Sequence, residues 1–427
     1  MDLKLIFHKN KHRFYKNHFG GSFYFTTTWE QRKLGEIGEF KSNGVDKLSK
    51  PNEINVNLLN YMDVYNRRKI TNKNVSYLMQ VTAKPNQIKD NNVLKGDVFF
   101  TPTSETADDI GHVMVIEETL ENTVYSYHLM RYRPNQNIFY LTFPNYGLDT
   151  TFVRKQMELS AQGVQRFVIN RRQFEDLEMR LPTIAEQKKI SITLTKLDNL
   201  ITLHQRKYEK FVNVKKAMLE KMFPQGSDKT PKIRFKGFTD PWEQRKLGEI
   251  VDYVVDNRGK NPDYYCDDGI PVIDNFMIGE LYPDLKIANR FIDDNLFENF
   301  IRKYNNTDDI LITLVGNGIG KMSLFPNKKA VIIQNTLGFR CEHNDKKFCY
   351  YELLSKNKEI ISLDRGMAQP SIRQDELLDI TFYTTNLKEE KKISTILYQL
   401  DNLITLHQRE CEKLKNIKKA CLEKMFV

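Results

Sequence analysis

The chain carries an internal duplication, and this feature limits its architecture more than any other. WEQRKLGEI occupies residues 29–37 and again 242–250, while LDNLITLHQR occupies 197–206 and again 400–409. The copies are offset by 213 and 203 residues. This unit is far longer than the repeats of solenoid proteins, so we expect each copy to be a complete domain followed by a helix. The chain therefore alternates block, helix, block, helix.

The helical part of each copy has coiled-coil periodicity. Residues 183–223 contain no glycine and no proline, and their apolar positions recur in alternating steps of four and three. The closing LEKMF of this segment, at 219–223, returns at 422–426 after a second stripe in the same register. Because the second block returns the chain, the two helices are predicted to pair antiparallel along these stripes.

Symmetric pairing of the stripes predicts polar residues near the midpoint of the pair. It places His204 opposite Cys411 and Tyr208 opposite His407. Two histidines on a seam could hold a metal or respond to pH, but a polar pair that fixes the register is the interpretation we favour.

A second apolar row lies off this seam, at Leu200 with Leu203 and at Leu403 with Leu406. A pair of helices cannot cover both rows at once. The second row therefore predicts a surface that binds helices of a partner protein.

The blocks between the repeated segments barely match each other, which indicates two different tasks on one frame. Each block has short runs typical of strands in a mixed α/β domain. These runs are VLKGDVFFTP (93–102) and HVMVIEE (112–118) in the first block, and TDDILITLVGNGIG (307–320) and AVIIQN (330–335) in the second. Aromatic and basic residues interleave at 125–133 and at 302–304, a pattern that suits contact with phosphates and bases.

Composition narrows the class of partner and the compartment. The 427 residues carry 65 Lys and Arg against 55 Asp and Glu, a net charge of +10 that favours a polyanionic partner such as nucleic acid. Five cysteines are too few for a disulfide scaffold, and their odd number favours a reducing compartment. No apolar run approaches the ~20 residues needed to cross a bilayer, so we expect a cytoplasmic protein without a membrane partner.

Three motifs partly match the signatures of chemical sites, but each is better explained as a structural feature. Asn-Pro-Asp-Tyr at 261–264 departs at its third position from the Asn-Pro-Pro-Tyr signature of amino-methyltransferases. The glycines at 316–320 lack the spacing of a dinucleotide fingerprint and predict a turn between strands. Cys341, His343 and Cys349 offer three zinc ligands without a fourth at a convincing distance. We therefore expect no catalytic residues, no metal and no cofactor in this chain.

The duplicated layout resembles the specificity (S) subunit of Type I restriction-modification systems. The similarity rests on the repeated WEQRKLGEI, on the helix start PTIAEQKKI at 182–190 and on LDNLITLHQR, and it extends from Trp29 to Val427. NRGKNP at 257–262 resembles one subtype of recognition domain, and SNGVDK at 42–47 resembles another. The second helix start, NLKEE at 386–390, departs from the family's usual Pro-Glu-Gln.

The resemblance implies a mixed α/β fold in which two target-recognition domains are separated by two long antiparallel coiled-coil helices, with a pseudo-twofold internal repeat. We place the parts as an N-terminal extension (1–28), target-recognition domain 1 (29–180), conserved helix 1 (181–226), a linker (227–240), target-recognition domain 2 (241–380) and conserved helix 2 (381–427).

The implied function is host defence: a non-catalytic subunit that recognises a bipartite sequence in double-stranded DNA. The family implies two modification (methyltransferase) subunits docked on the helices, and two restriction subunits that complete the complex. S-adenosylmethionine, ATP and Mg are expected on those partners. The alternative is a coiled-coil interaction protein whose two globular heads bind proteins, with only nonspecific binding to DNA.

Within this framework we predict DNA contacts from basic, amide and aromatic side chains of both blocks. They are Asn43, Lys47, Tyr125, Arg131, Arg133 and Arg166 in the first block and Arg258, Lys260, Arg302, Lys303 and Lys321 in the second. The leucine row, Leu200, Leu203, Leu403 and Leu406, is predicted to bind the partner subunits.

Overall fold

The computed structural model describes residues 29–226, 228–259, 262–301, 304–333, 335–366 and 369–426, together with the backbone of two paired strands, β1 (Arg13–Lys16) and β2 (Ser22–Phe25). It divides into two compact units. Unit 1 comprises Met1–Ile201 with Glu412–Val427, and unit 2 comprises Thr202–Cys411.

Unit 1 holds twelve further strands among its described residues, arranged in small sheets. The strands are β3 (Glu30–Lys33), β4 (Gly38–Lys41), β5 (Ile54–Leu59), β6 (Met79–Ala83), β7 (Asn92–Val93), β8 (Val98–Phe100), β9 (Thr103–Ser104), β10 (Val113–Val115), β11 (Leu120–Tyr125), β12 (Met130–Pro134), β13 (Phe167–Val168) and β14 (Glu178–Leu181). Two four-stranded sheets have the orders β10-β8-β12-β4 and β6-β5-β11-β7, and β13 pairs with β9 and β14 with β3. Every pairing is antiparallel except β5 with β11.

Helices cover the sheets of unit 1 and end in the first repeated helix. They are α1 (Tyr61–Tyr65), α2 (Pro85–Asp90), α3 (Pro144–Gly147), α4 (Thr151–Ser160), α5 (Arg171–Glu175) and α6 (Ile184–Lys221), with single 3-10 turns at Leu34–Glu36, Val75–Tyr77 and Ala107–Asp109. Phe40, Phe100 and Phe174 stack in the core between β4, β8 and α5.

Unit 2 has a single four-stranded sheet among its described residues, with two strand pairs beside it. Its strands are β15 (Glu243–Lys246), β16 (Tyr253–Asp256), β17 (Ile270–Pro271), β18 (Phe291–Ile292), β19 (Ile310–Thr313), β20 (Met322–Leu324), β21 (Thr336–Arg340) and β22 (Thr381–Thr384). The antiparallel sheet has the order β16-β21-β19-β20, and β15 pairs with β22 and β17 with β18. Among the described residues of the predicted strand at 330–335, the structure has a single bridge, between Val331 and Val272.

The helices of unit 2 end in the second repeated helix. They are α7 (Leu247–Ile250), α8 (Lys346–Ser355), α9 (Asn357–Ser362), α10 (Gln374–Leu378) and α11 (Leu387–Met425), with a π-helical turn at Leu296–Phe300 and 3-10 turns at Asn275–Met277 and Leu285–Ile287. Both long helices match the segments that periodicity predicts. In the part of the chain that the structure describes, no helix is long and apolar enough to cross a membrane.

The repeated sequences form equivalent structures in the two units. EQRK makes β3 in unit 1 and β15 in unit 2, and each strand pairs with the strand that precedes a long helix. In unit 1 the ring of Trp29 meets Phe426 edge-on, with centroids 5.6 Å apart. In unit 2 Trp242 meets Phe223 edge-on, with centroids 6.1 Å apart. Each unit therefore packs its tryptophan against the LEKMF motif of the other copy's helix.

The two long helices begin with different capping residues. At the start of α6, the Thr183 hydroxyl accepts from the backbone of Glu186, whose carboxylate bonds back to Thr183 in a capping box. At the start of α11 the Asn386 side chain accepts from the backbone N–H of Glu389. The Glu389 carboxylate is buried and pairs with Arg234 at 2.7 Å. The helix start at 386–390 is therefore capped by Asn386 despite its departure from Pro-Glu-Gln.

Candidate nucleic-acid interface

Basic and aromatic side chains from distant parts of the sequence form a cluster on unit 1. Burial of the imidazole lowers the pKa of His128, and the nearby charges of Lys47 and Arg166 lower it further. Tyr127 is 51% exposed, and its ring centroid lies 4.0 Å from that of His128. Lys47, Arg166 and Asn43 are exposed. We call Lys47, Tyr127, His128 and Arg166 the unit 1 cluster.

The loop that carries Lys47 approaches the backbone of the segment that carries Tyr127 and His128. Val45 accepts from the N–H of Tyr127 at 3.2 Å and forms a parallel bridge with Ser126. A Cβ on Gly44 would stand 2.2 Å from the carbonyl carbon of Ser126, so only glycine permits this approach. The chemistry of the cluster, two cations beside an exposed aromatic ring, suits phosphate contact and apolar contact with bases.

Three predicted residues of the first block have structural roles. Tyr125 is fully buried, and its burial raises the pKa of the phenol to about 12. Arg131 is 5% exposed and donates to the Asn92 carbonyl at 3.2 Å. Arg133 grips the buried Asp97 carboxylate with two bonds of 2.6 and 2.8 Å. The prediction of DNA contact for Tyr125 and Arg131 is corrected by their burial. DNA contact by Arg133, which pairs with Asp97 but has a 35% exposed side chain, stays a prediction.

In unit 2 the structure describes two of the five predicted residues; Lys260, Arg302 and Lys303 lie outside the described residues. Arg258 is half-buried, donates to Asp256 at 2.9 and 3.0 Å and to Gln374 at 3.0 Å, and so is held in one orientation. Lys321 is exposed between the turn at 316–320 and β20.

A polar groove of about 430 Å³ lies in unit 2. It is lined by Asp274, Asn275, Phe276, Asn289, Arg290 and Asn335. Phe276 is 54% exposed, and Arg290 donates to Asp274 with an Nε–Oδ2 distance of 3.0 Å. Asparagine amides and a guanidinium beside an exposed ring are the groups that contact base edges in a DNA groove.

The groove is joined to the glycine-rich turn. Asn275 donates to the Val315 carbonyl at 3.1 Å and accepts from the Thr336 hydroxyl at 3.2 Å. The turn at 316–320 connects the antiparallel strands β19 and β20, which confirms its interpretation as a strand connection. Sequence reasoning missed the groove because its residues come from separate turns that no local pattern brings together.

The metal candidates do not form a cluster. Cys341 and Cys349 are buried, whereas the His343 ring is exposed and bonds to Asp252 at 2.7 Å. Among the described residues there is no group of three or more His, Cys, Asp or Glu arranged to hold a metal ion.

The histidine pair lies within unit 2. His407 is 8% exposed, its Nδ1 lies 3.0 Å from Nδ1 of His204, and its ring stacks on Phe211. Cys411 bonds to Gln205, the neighbour of His204, at 3.6 Å. His407 thus packs between His204 and Phe211, which precede and follow Tyr208 on α6, in the manner of a knob in a coiled-coil hole. Burial lowers the pKa of His407, which favours the neutral form of that imidazole.

The predicted partner surface is exposed in the structure. Leu203 is 46%, Leu403 36% and Leu406 51% exposed, whereas Leu200 is half-buried. Leucines left uncovered along long helices are typical of surfaces that bind another protein.

Comparison with known proteins identifies relatives over most of the chain. The model of the "Type I restriction modification DNA specificity domain" matches twice, at residues 26–211 and 239–416. The Type I restriction enzyme MjaVIII specificity subunit of Methanocaldococcus jannaschii is 29% identical over 60% of this chain, and the match spans 62% of that protein, less than two thirds of its length. The putative Type I restriction enzyme MjaX specificity subunit of the same organism is 26% identical over 92% of both chains.

A solved structure shares the fold. The crystal structure of a Type I restriction-modification system S subunit from M. genitalium superimposes with a TM-score of 0.62 at 15% sequence identity. The superposition covers 93% of this chain and 96% of the other.

Proposed function

The chain belongs to the Type I restriction modification DNA specificity domain family, and from this premise we propose that it is the DNA-recognition subunit of a Type I restriction-modification complex. The observation that carries the proposal is the double match, because two different blocks, each with this domain, suit a bipartite DNA target. The unit 1 cluster and the polar groove of unit 2 supply a candidate contact surface for each half-site.

The DNA contacts that we propose come from exposed or partly exposed side chains of each unit. They are Asn43, Lys47, Tyr127, His128 and Arg166 in unit 1 and Arg258, Lys321, Phe276, Asn289 and Asn335 in unit 2. Lys260, Arg302 and Lys303 remain predictions from the sequence. Lysines and arginines would contact DNA phosphates and so position the protein on the duplex, and the amides of the groove would distinguish bases.

The proposed role of this chain is recognition and scaffolding, without catalysis. Two modification subunits would dock on the helices at the leucine row, and two restriction subunits would complete the assembly. S-adenosylmethionine would be held by the modification subunits, and ATP and Mg by the restriction subunits. The broken Asn-Pro-Asp-Tyr motif at 261–264 supports this assignment.

We also propose that the long helices form an antiparallel coiled coil that relates the two blocks by a pseudo-twofold axis. The equivalent tryptophan–phenylalanine contacts of the two units support this proposal. So do two equivalent ion pairs, Lys418 with Asp198 in unit 1 and Lys215 with Asp401 in unit 2, each with a distance of 2.6 Å.

Exchange of one block tests the proposal. The full chain, assembled with the modification subunits of its system, should methylate a bipartite DNA sequence. Replacing residues 241–380 with the equivalent block of another family member should change one half of that sequence and keep the other. The measurement is a genome-wide map of methylated sites, with the modification subunits alone as the control.

Two results would contradict the proposal. A change in both halves would refute two independent recognition blocks. DNA binding that is blind to sequence and lost at moderate salt would instead favour the interaction protein with two globular heads.

A further inference from the structure

A polar network joins the recognition block of unit 1 to the long helices. The Tyr146 hydroxyl, from α3, donates to the Asp198 carboxylate of α6 at 2.9 Å and lies 3.0 Å from the Thr195 hydroxyl. Lys418, from α11, pairs with the same carboxylate at 2.6 Å and lies over the Tyr146 ring, 5.7 Å from its centroid.

Unit 2 contains the same network, built from the other copy of each helix. The Tyr351 hydroxyl, from α8, donates to the Asp401 carboxylate of α11 at 2.7 Å. Lys215, from α6, pairs with Asp401 at 2.6 Å and lies 5.7 Å from the centroid of the Tyr351 ring.

The duplication of the helices does not account for the two tyrosines of these networks. The aspartates and lysines belong to the duplicated helices, so their recurrence follows from the duplication. Tyr146 lies in the four-residue helix Pro144–Gly147, whereas Tyr351 lies within the ten-residue helix Lys346–Ser355, in blocks whose sequences hardly match. Two unrelated local structures thus present a tyrosine hydroxyl to the same helix position.

Both networks are polar and directional, and both phenols are buried, whereas the Asp198 side chain of unit 1 is 38% exposed. Tyr146 is 5% exposed, Tyr351 is fully buried and Asp401 is 7% exposed. Burial raises the pKa of both phenols, so each hydroxyl keeps its proton and donates a hydrogen bond to the carboxylate. Apolar contacts tolerate sliding of a block along a helix, but a buried hydroxyl bonded to a charged carboxylate is satisfied at one position only.

We propose that Tyr146 and Tyr351 are positioning residues for DNA recognition: each fixes where its block is seated on the long helices and so restricts the DNA spacing at which both half-sites are contacted. This inference rests on the proposed function. It assigns to the tyrosines no contact with DNA and no part in the choice of half-site sequence.

The test uses the full chain assembled with its modification subunits. Tyr146→Phe and Tyr351→Phe remove only the bridging hydroxyl, and Lys418→Met removes the charge of the first network while keeping an unbranched side chain. The matched control is Tyr132→Phe, because the Tyr132 hydroxyl donates to the Leu34 carbonyl at 3.2 Å inside the recognition block of the same unit. Methylation is measured on DNA that carries both half-sites at the native spacing and at spacings one base pair longer or shorter.

We expect the three network variants to keep both half-site sequences and to lose spacing selectivity. The ratio of methylation at the native spacing to that at altered spacings should fall roughly tenfold, the factor that corresponds to about 1.4 kcal/mol. Tyr132→Phe should leave the ratio unchanged, even if it lowers the melting temperature.

Two outcomes would overturn the inference. One is a fall in methylation by the same factor at every spacing, which is the result of a merely structural role. The other is an unchanged ratio in variants that melt as the parent chain does. If the parent complex methylates no bipartite site at all, the proposed function fails instead, so the two failures are distinguishable.

Discussion

At the scale of single residues, the buried carboxylate of Glu352 makes stability depend on pH. Glu352 in α8 is fully buried, and burial raises the pKa of its carboxyl group to about 7, although Lys356 lies 3.8 Å away. In the unfolded chain this pKa is about 4.3, so the folded state holds the proton more tightly. Glu352 therefore contributes stability that is full below about pH 4.3 and is lost as the pH rises through 7.

We predict that Glu352→Gln stabilises unit 2 at pH 8 but not at pH 4.5. Glutamine keeps the oxygen that accepts from the Tyr383 N–H at 3.1 Å and carries no charge to bury. The gain in the free energy of unfolding at pH 8 should be on the order of 1–3 kcal/mol. Urea unfolding at the two pH values measures it, with the exposed Glu359→Gln as the control. An equal effect of Glu352→Gln at both pH values would contradict the prediction.

Single residues also show what the sequence could not reveal about the site. Lys47 and Arg166 are predicted from their charge, and both lie near enough to His128 for their charges to lower its pKa. Arg131 and Arg133 belong to the same basic and aromatic pattern, but they lie on β12, an inner strand of its sheet. A basic side chain on an inner strand needs a hydrogen-bond acceptor inside the protein. The sequence does not reveal that Arg133 has such an acceptor in the buried carboxylate of Asp97.

At the scale of elements, the long helices were the most predictable part of the fold. Their bounds lie close to those that periodicity predicts, and α6 and α11 end in the LEKMF motifs as expected. Periodicity could not show which residues of the apolar stripe pack against the other long helix and which pack against a recognition block. Ile190, Leu194 and Leu197 pack into the core of the block in unit 1, because the sheets of that block leave an apolar face for the helix to cover.

The uncovered leucine row gives a prediction for partner binding. Leu203→Glu and Leu406→Glu should change the free energy of unfolding by less than about 0.5 kcal/mol, because both side chains are substantially exposed. Both should weaken binding of the modification subunit at least tenfold, since a buried unpaired charge costs more than about 1.4 kcal/mol. The measurement is a titration of the full chain with that subunit.

The control is Asn213→Glu, which adds the same charge at an exposed position of α6 away from the leucines. It should bind as the parent chain does. Equal weakening by all three variants would point to net charge rather than to the apolar row, and unchanged binding by the leucine variants would remove the row from the interface.

At the scale of the whole molecule, each unit is assembled from both copies of the duplicated sequence. Unit 1 contains the end of α11, including Phe426, and unit 2 contains the end of α6, including Phe223. Neither unit therefore consists of one copy of the repeat alone, which corrects the expectation that each copy is a complete domain followed by its own helix. A change in the length of one helix must be matched in the other, because the side chains of Gln205 and Cys411 meet in the middle of the pair.

This constraint defines an experiment on half-site spacing. Four residues inserted after Arg206 and four inserted after Arg409 would lengthen both helices next to the Gln205–Cys411 contact by about 6 Å each. At 3.4 Å of rise per base pair, the gain is close to two base pairs. We expect the doubly inserted chain, assembled with its modification subunits, to keep both half-site sequences and to prefer a spacer one or two base pairs longer. The chain with only the insertion after Arg206 is the control, and it should melt at a lower temperature because its helices no longer match. If the doubly inserted chain is active and retains the parent spacer, the partner subunits set the distance between the half-sites and the helices do not.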